Sequence, residues 1–85
     1  MDDCILSRHA IEQMKRRNIS IEIVFAIINK PTDVISENGI DIYQSIIIFE
    51  DEKQYLVRVF INSRKSPKAV ITVYKTSKIK KYYEG

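Results

Sequence analysis

Residues 54–62 read QYLVRVFIN, which has the composition of a buried β-strand except for an arginine at its centre. Successive side chains of a strand point to opposite faces, so this stretch predicts two different surfaces. The first face consists of Tyr55, Val57, Val59 and Ile61, and the second of Leu56, Arg58 and Phe60. A buried guanidinium without a partner is costly because it loses its hydration. We therefore expect Arg58 either to extend to solvent or to face an anion.

Two helices are predicted before this strand. The first covers residues 8–17, because Ser7 is a good N-cap and Asn18 tolerates the left-handed conformation that often ends helices. The second covers residues 21–29, and Pro31 prevents its continuation. This second segment is apolar nearly all round, so we expect it to be the buried helix.

From Pro31 onward, apolar residues recur with the period of two that is typical of strands. Strands are predicted over residues 32–37, 40–49, 54–62 and 68–76, and Asn38-Gly39 predicts a tight turn. The prediction is an α+β domain of two N-terminal helices followed by an antiparallel meander of about four strands. A short basic C-terminal segment then adds a helical turn or lies across the sheet. At 85 residues the chain has room for one such domain, residues 1–85.

Charge is distributed unevenly, although the formal net charge is only +3. Residues 1–52 carry five Lys or Arg against ten acids, whereas residues 53–85 carry nine against one. Such asymmetry is typical of a protein with a polyanion as partner. The same asymmetry is expected if the acidic half of the domain packs against the basic half and neutralises it. The charges alone leave both interpretations open.

Several other chemistries have little support. The only glycines are Gly39 and Gly85, so a glycine-rich phosphate loop is absent from the sequence. One His, one Cys and no paired acidic motif predict neither a metal site nor a cofactor. The lone Cys4 fits a reducing compartment, and the opening MDDCILSRHA has no features of a signal peptide. The longest apolar run is far below the ~18 residues that cross a bilayer, so we expect a cytoplasmic protein without a membrane partner.

Hydroxyl residues in the last predicted strand are candidates for a phosphate site. Thr72 and Tyr74 share a predicted face with Val70 and Thr76, and a suitable register would place them beside Arg58. A guanidinium can grip two phosphate oxygens while the hydroxyls donate to others. The alternative is that both residues are ordinary strand formers, which threonine and tyrosine are.

His9 is the only histidine, and it lies in the first turn of the first predicted helix. The unperturbed pKa of histidine, ~6.5, allows proton transfer in both directions near neutral pH, although a lone histidine is more often simply a surface residue. Four basic residues are candidates for RNA binding, namely Arg17, Lys75, Lys78 and Lys81. The lysines interleave with tyrosines, which would combine attraction to the RNA backbone with base stacking, but a solvated basic tail gives the same pattern.

The stretch LSRHAIEQMKRRNISIEIV (residues 6–24) resembles the opening of a family of small bacterial domains of unknown function. Members of that family often read S-x-H-A-x-x-R-M-x-x-R-G-I-S-x-E-x-V. The matching positions are Ser7, His9, Ala10, Met14, Arg17, Ile19, Ser20, Glu22 and Val24. Gln13 replaces an arginine, which removes one phosphate contact, and Asn18 replaces a glycine. YLVRVF and AVITVYKTSKIKKY resemble the later strands and the closing basic segment, so the likeness covers almost the whole chain.

That family is grouped with the RelE-like and BrnT-like toxins, among metal-independent ribonucleases of RelE-like and barnase-like fold. The resemblance implies a toxin that cuts RNA and is neutralised by a cognate antitoxin protein, and it leaves the participation of the ribosome open. Related ribonucleases use a histidine on the N-terminal helix with basic and hydroxyl residues on the sheet. Carried over to this chain, the resemblance implies His9, Arg58, Thr72 and Tyr74 as catalytic residues.

Three hypotheses follow. The first is a metal-independent endoribonuclease in which the ribose 2′-hydroxyl attacks the adjacent phosphate. The second is a non-catalytic module that binds RNA or a protein through the basic C-terminal half. In the third, Arg58 only pairs with an acid from the first half of the chain, such as Asp33 or Asp41.

Overall fold

A computed structural model describes residues 4–82 of the protein. These residues form one five-stranded sheet and three helices. In chain order, the elements are β1 (Cys4–Leu6), α1 (Arg8–Arg17), α2 (Ile21–Asn29), β2 (Asp33–Glu37), β3 (Ile40–Ile48), β4 (Gln54–Asn62), β5 (Lys68–Thr76) and α3 (Ile79–Tyr82). The strands lie in the order β1-β5-β4-β3-β2. None of the helices within this part of the chain has the length and apolar character needed to span a membrane.

The α+β class and the two helices before the main strands are confirmed, and each strand from β2 to β5 is antiparallel to the next. The predicted meander was nevertheless incomplete. It lacked β1, which pairs in parallel with β5 (Cys4↔Lys68 to Leu6↔Val70) and makes the sheet mixed. Three residues are too few to show a period of two, and their partner strand lies more than sixty residues away in sequence.

Local capping chemistry fixes the ends of α1. The Ser7 hydroxyl accepts a hydrogen bond from the Ala10 N–H at 3.0 Å. At the other end, Asn18 has φ 57° and ψ 46°, the left-handed conformation expected of it. Both helices therefore begin and end where the capping residues predict.

The turn between β2 and β3 also forms where the sequence predicts it. Asn38 and Gly39 have φ of 52° and 82°, the pair of positive angles that suits a two-residue hairpin. A Cβ on Gly39 would lie 2.5 Å from Nε of Arg64, but this is the end of an exposed, flexible side chain that can move aside. The positive φ is therefore what favours glycine at this position.

One face of the sheet carries the hydrophobic core, to which α2 and the side of α1 that packs along β5 contribute. Its buried members are Ala10, Met14, Ile19, Val24, Ile27, Ile28, Val57, Val59, Ile61, Val70 and Val73. The apolar face predicted for β4 is confirmed as part of this core. Helix α2, which we expected to be the buried helix, buries Val24, Ile27 and Ile28, whereas Ile21 in its first turn is 44% exposed.

A β-bulge in β5 changes which side chains share a face. Phe60 pairs with Thr72, whereas the next residue of β4, Ile61, pairs with Val70. The additional residue, Ile71, shifts the alternation, so Val70 and Val73 both lie in the core. The prediction that Val70 shares a face with Thr72 was therefore wrong.

Lys75 belongs to a cluster that ties the β3–β4 loop to β5. Its Nζ lies 4.2 Å from the centroid of the Phe49 ring and 4.7 Å from that of Tyr55. The two rings meet edge to face, with centroids 5.2 Å apart. The Tyr55 hydroxyl donates a hydrogen bond to Asp51 Oδ2 at 2.7 Å. The loop is thus held by cation–π, aromatic and hydrogen-bond contacts together.

The Tyr55–Asp51 hydrogen bond predicts a pH dependence of stability. It lowers the pKa of Asp51 from its ordinary value of 3.8, and it raises the pKa of Tyr55 from 10.0. Its contribution is therefore fully present between these two values; it is lost as the pH falls through the folded-state pKa of Asp51 or rises through that of Tyr55. In urea unfolding, we expect Tyr55→Phe to be less stable than the wild type between the two values and to converge with it at either extreme. A stability difference that is independent of pH would contradict this.

Candidate functional site

A groove of about 550 Å³ lies between α1 and the face of the sheet that carries Arg58. Its lining residues are His9, Gln13, Arg16, Arg17, Arg58, Phe60, Thr72, Val73 and Tyr74. The groove brings together all four residues predicted to be catalytic, along with Arg17 from the predicted RNA-binding set. Three of the lining residues are arginines, and none of those described is acidic.

The register between β4 and β5 forms the floor of the groove. Arg58 pairs directly with Tyr74, and Phe60 pairs with Thr72. Directly opposite residues of antiparallel strands have Cβ atoms about 4.5–5.5 Å apart on the same face. This register places Thr72 and Tyr74 beside Arg58. From the sequence, that arrangement could be predicted only if the two strands paired in a suitable register.

Helix α1 forms the wall of the groove, and Ser7 fixes its start against β5. The Ser7 hydroxyl donates to the Ile71 carbonyl oxygen at 2.9 Å, and its N–H donates to the Val70 carbonyl oxygen at 3.1 Å. The helix buries Ala10 and Met14 in the core. The stripe beside them faces the groove and consists of His9, Gln13, Arg16 and Arg17.

Arg58 is held in place by its neighbours on the sheet. Its Nε donates a hydrogen bond to Oε1 of Gln44 at 3.0 Å, and its Cζ lies 5.4 Å from the centroid of the Phe60 ring. Gln44 is the cross-strand partner of Arg58 on β3 and is fully buried. The guanidinium is half-buried and lines the groove rather than extending freely along the surface.

The two acids considered as partners for Arg58 differ in their placement. Asp41 pairs with Ile61, which puts it on the opposite face of the sheet, and its carboxylate accepts from the Ser36 hydroxyl at 2.7 Å. Pairing of Arg58 with Asp41 is therefore ruled out. Asp33 lies on the same face as Arg58, but Gln44 stands between them on the intervening strand.

Arg17 and Tyr74 connect the wall of the groove to its floor. The Arg17 Cζ lies 5.1 Å from the centroid of the Tyr74 ring, and its Nε donates to Oε1 of Gln13 at 3.1 Å. Tyr74 thus has one arginine over its ring and another, Arg58, as its cross-strand neighbour. Gln13, which departs from the family pattern, keeps an indirect role because it orients Arg17.

The structure does not bring the predicted lysines to this groove. Lys75 pairs with Val57, so it lies on the opposite face of β5 from Tyr74 and contacts the Phe49 and Tyr55 rings instead. Lys78 and Lys81 are exposed and follow β5 at the C-terminal end of the described chain. The predicted interleaving of these lysines with Tyr83 lies outside the described residues.

Four residues near the groove were missed as functional candidates, namely Gln13, Arg16, Gln44 and Phe60. Gln44 could have been found, because alternation in IDIYQSIII (residues 40–48) puts it between Ile42 and Ile46 on one face of the strand. Gln13 differs from the arginine of the family pattern, but this difference by itself does not indicate a function. Phe60 and Arg16 have no distinguishing signal, because a strand phenylalanine and a surface arginine are both commonplace.

Within residues 4–82, no three His, Cys, Asp or Glu side chains come close enough to hold a metal ion. The chemistry that this groove can offer rests on a histidine, three guanidinium groups, and the hydroxyls of Thr72 and Tyr74. Such a set can bind an anion with several oxygens and can transfer a proton beside it.

These features define a small α+β domain with a basic groove. Residues 6–75 match the model of a family described as Domain of unknown function (DUF4258), and the chain therefore belongs to this family. The expectation of a small domain family of unknown function is thereby confirmed. No curated protein and no solved structure matches the chain.

Proposed function

We propose that the protein is an endoribonuclease that cleaves RNA without a metal ion and acts as the toxin of a toxin–antitoxin pair. The observation that carries the proposal is the convergence of His9, Arg58, Thr72 and Tyr74 in one groove. These residues come from α1, β4 and β5, so their meeting is a property of the fold rather than of one local motif.

Each group has a chemical task in RNA cleavage. The 2′-hydroxyl oxygen forms a bond to the adjacent phosphorus while the bond from phosphorus to the 5′-oxygen of the next nucleotide breaks. His9 serves as general base for the 2′-hydroxyl proton or as general acid for the leaving oxygen. Arg58 stabilises the charge on the phosphoryl oxygens, and the hydroxyls of Thr72 and Tyr74 orient or donate. The products are a 2′,3′-cyclic phosphate and a 5′-hydroxyl.

Arg16 and Arg17 extend the binding surface along the wall of the groove. An RNA strand carries a negative phosphate at every nucleotide, and arginine binds phosphate in a fork-like geometry. Because these arginines belong to α1 and Arg58 to β4, phosphates on both sides of the cleaved bond would find a cation.

The assignment as a toxin rests on the resemblance to the RelE-like and BrnT-like ribonucleases. The two helices and the antiparallel strands β2–β5 correspond to the arrangement expected from that resemblance, whereas β1 was not expected. A cognate antitoxin would then be the protein partner. A short antitoxin-like gene beside the coding sequence would favour this part of the proposal.

The proposal is tested by incubating the purified protein with a mixed-sequence RNA in the presence of EDTA, with and without ribosomes. We expect cleavage in at least one arm, with 2′,3′-cyclic phosphate and 5′-hydroxyl ends. The chemistry of the ends discriminates, because metal-dependent nucleases commonly activate water and leave a 5′-phosphate. No cleavage in either arm, or cleavage that leaves 5′-phosphates, would refute the proposal.

A non-catalytic RNA-binding module is the second candidate, and the environment of His9 favours it. A catalytic base is usually oriented by a third group, but His9 is exposed and its imidazole has no hydrogen bond to any residue in the described part of the chain. The groove would then hold RNA through its arginines and the Phe60 and Tyr74 rings. This candidate predicts RNA binding that weakens steeply with salt, without strand cleavage.

A further inference from the structure

Gln44 is an unusual occupant of the sheet interior. It is 0% exposed and lies on the same face of β3 as Ile42 and Ile46, so an apolar residue would continue the pattern of the strand. Its Oε1 accepts from Arg58, whereas its Nε2 is a buried donor with no hydrogen-bond partner among residues 4–82. Buried donors are almost always paired, because leaving one unpaired lowers stability.

The hydrogen bond that the Gln44 side chain makes is directed at the groove. A donated bond from Nε, rather than from a terminal nitrogen, restricts rotation of the whole guanidinium plane about the end of the Arg58 side chain. The Phe60 ring lies beside the same group, with 5.4 Å between its centroid and Cζ. Both contacts restrict the orientation of the Arg58 side chain.

We propose that Gln44 is a positioning residue that holds the Arg58 guanidinium in the orientation required for a phosphoryl group of RNA. This inference rests on the proposed function. It explains why the buried Gln44 amide has a hydrogen-bond partner at Oε1 and none at Nε2. The unpaired Nε2 lowers the stability of the fold, and in return the Arg58 guanidinium is held in a fixed orientation in the groove. Preorganised charge of this kind stabilises a transition state better than a mobile side chain does.

The first test variant is Gln44→Met, which keeps the length of the side chain but removes both polar ends. We expect kcat for RNA cleavage to fall about tenfold or more, while Tm stays level or rises by about 4 °C because the unpaired donor is gone. The ¹⁵N order parameter of Arg58 Nε, measured by NMR, should fall because the side chain is no longer anchored. The last readout reports orientation directly and does not require RNA.

The second variant, Gln44→Glu, separates orientation from charge. Its carboxylate still accepts from Arg58 Nε, so the order parameter of that nitrogen should stay high. The new negative charge offsets the guanidinium, so RNA affinity should fall and the slope of log K against log salt should decrease by about one phosphate contact.

The matched control is Ser45→Ala. Ser45 is a neighbouring buried polar residue on the other face of the sheet, and its Oγ accepts a hydrogen bond from the Thr32 N–H at 3.0 Å. It should lower Tm and leave cleavage unchanged.

Three results would overturn the inference: full cleavage activity in Gln44→Met, an unchanged order parameter of Arg58 Nε in that variant, or a fall in Tm as large as that of the Ser45→Ala control. The last would mean that Gln44 serves the fold. A wild-type protein that does not cut RNA would refute the proposed function instead. In that event the order parameter would still decide whether Gln44 holds Arg58.

Discussion

Replacing His9 by alanine is expected to reduce RNA cleavage by about 10²–10⁴-fold, the range that general acid–base catalysis contributes. His9 is exposed on the groove-facing stripe of α1, and the core residues of that helix, Ala10 and Met14, are unaffected by its removal. The helix should therefore keep its structure, and Tm should stay within about 2 °C of the wild type, since exposed substitutions change stability little. RNA affinity should also persist, because the arginines supply most of the binding.

The measurement is kcat and KM on one RNA substrate with EDTA present, together with a thermal melt. Arg8→Ala is a matched control, because Arg8 is the neighbouring exposed residue of α1 and does not line the groove. It should cut RNA at the wild-type rate. If His9→Ala cuts as fast as the wild type, His9 has no part in proton transfer, and another group in the groove must supply it.

Arg58→Lys is the second substitution with a large expected effect. Lysine keeps the charge but lacks the planar fork, so it cannot donate to Gln44 from an Nε position while gripping two phosphate oxygens. We expect kcat/KM to fall about 10²-fold or more, the usual effect of removing one group that stabilises transition-state charge. The fold should remain intact because the stem of lysine can replace the half-buried stem of arginine.

Two controls make the Arg58 result interpretable. Arg64→Lys changes an exposed arginine next to the Gly39 turn, outside the groove, and should leave cleavage unchanged. Urea unfolding of Arg58→Lys shows whether the fold is retained. If the variant unfolds while the RNA affinity of its folded fraction is unchanged, Arg58 serves the fold rather than RNA binding. A stable variant with full activity would remove Arg58 from the site.

The parts of the fold that the sequence predicts well are those with local causes. The ends of α1 and α2 follow from serine N-caps and from Asn18, whose side chains act on backbone groups a few residues away. The β2–β3 turn follows from Asn38-Gly39 for the same reason. Strand β1 could not be found in this way, because three residues become a strand only when β5 is beside them.

In the candidate site, too, the sequence identifies single unusual residues but not the contacts that depend on distant strands. His9 and Arg58 stand out in sequence because each residue type is unusual in its setting, and the groove contains both. Lys75 lies on the opposite face of β5 from Tyr74, as the alternation of a strand predicts, so its closeness to Tyr74 in sequence does not bring it to the groove. The contact of Gln44 with Arg58 depends on the register of two strands, which a single sequence does not determine.

The bulge at Ile71 makes the number of residues in β5 as important as their identity. The alternation of side chains between the two faces of β5 shifts by one residue at the bulge. Only because of this shift do Val70 and Val73 both lie in the core while Thr72 and Tyr74 line the groove. If Ile71 instead took a regular place in the ladder, a single phase would run on from Val70, with Thr72 and Tyr74 against the core and Val73 in the groove. The spacing between Val70 and Thr72 is therefore as important to the core and to the groove as the identity of either residue.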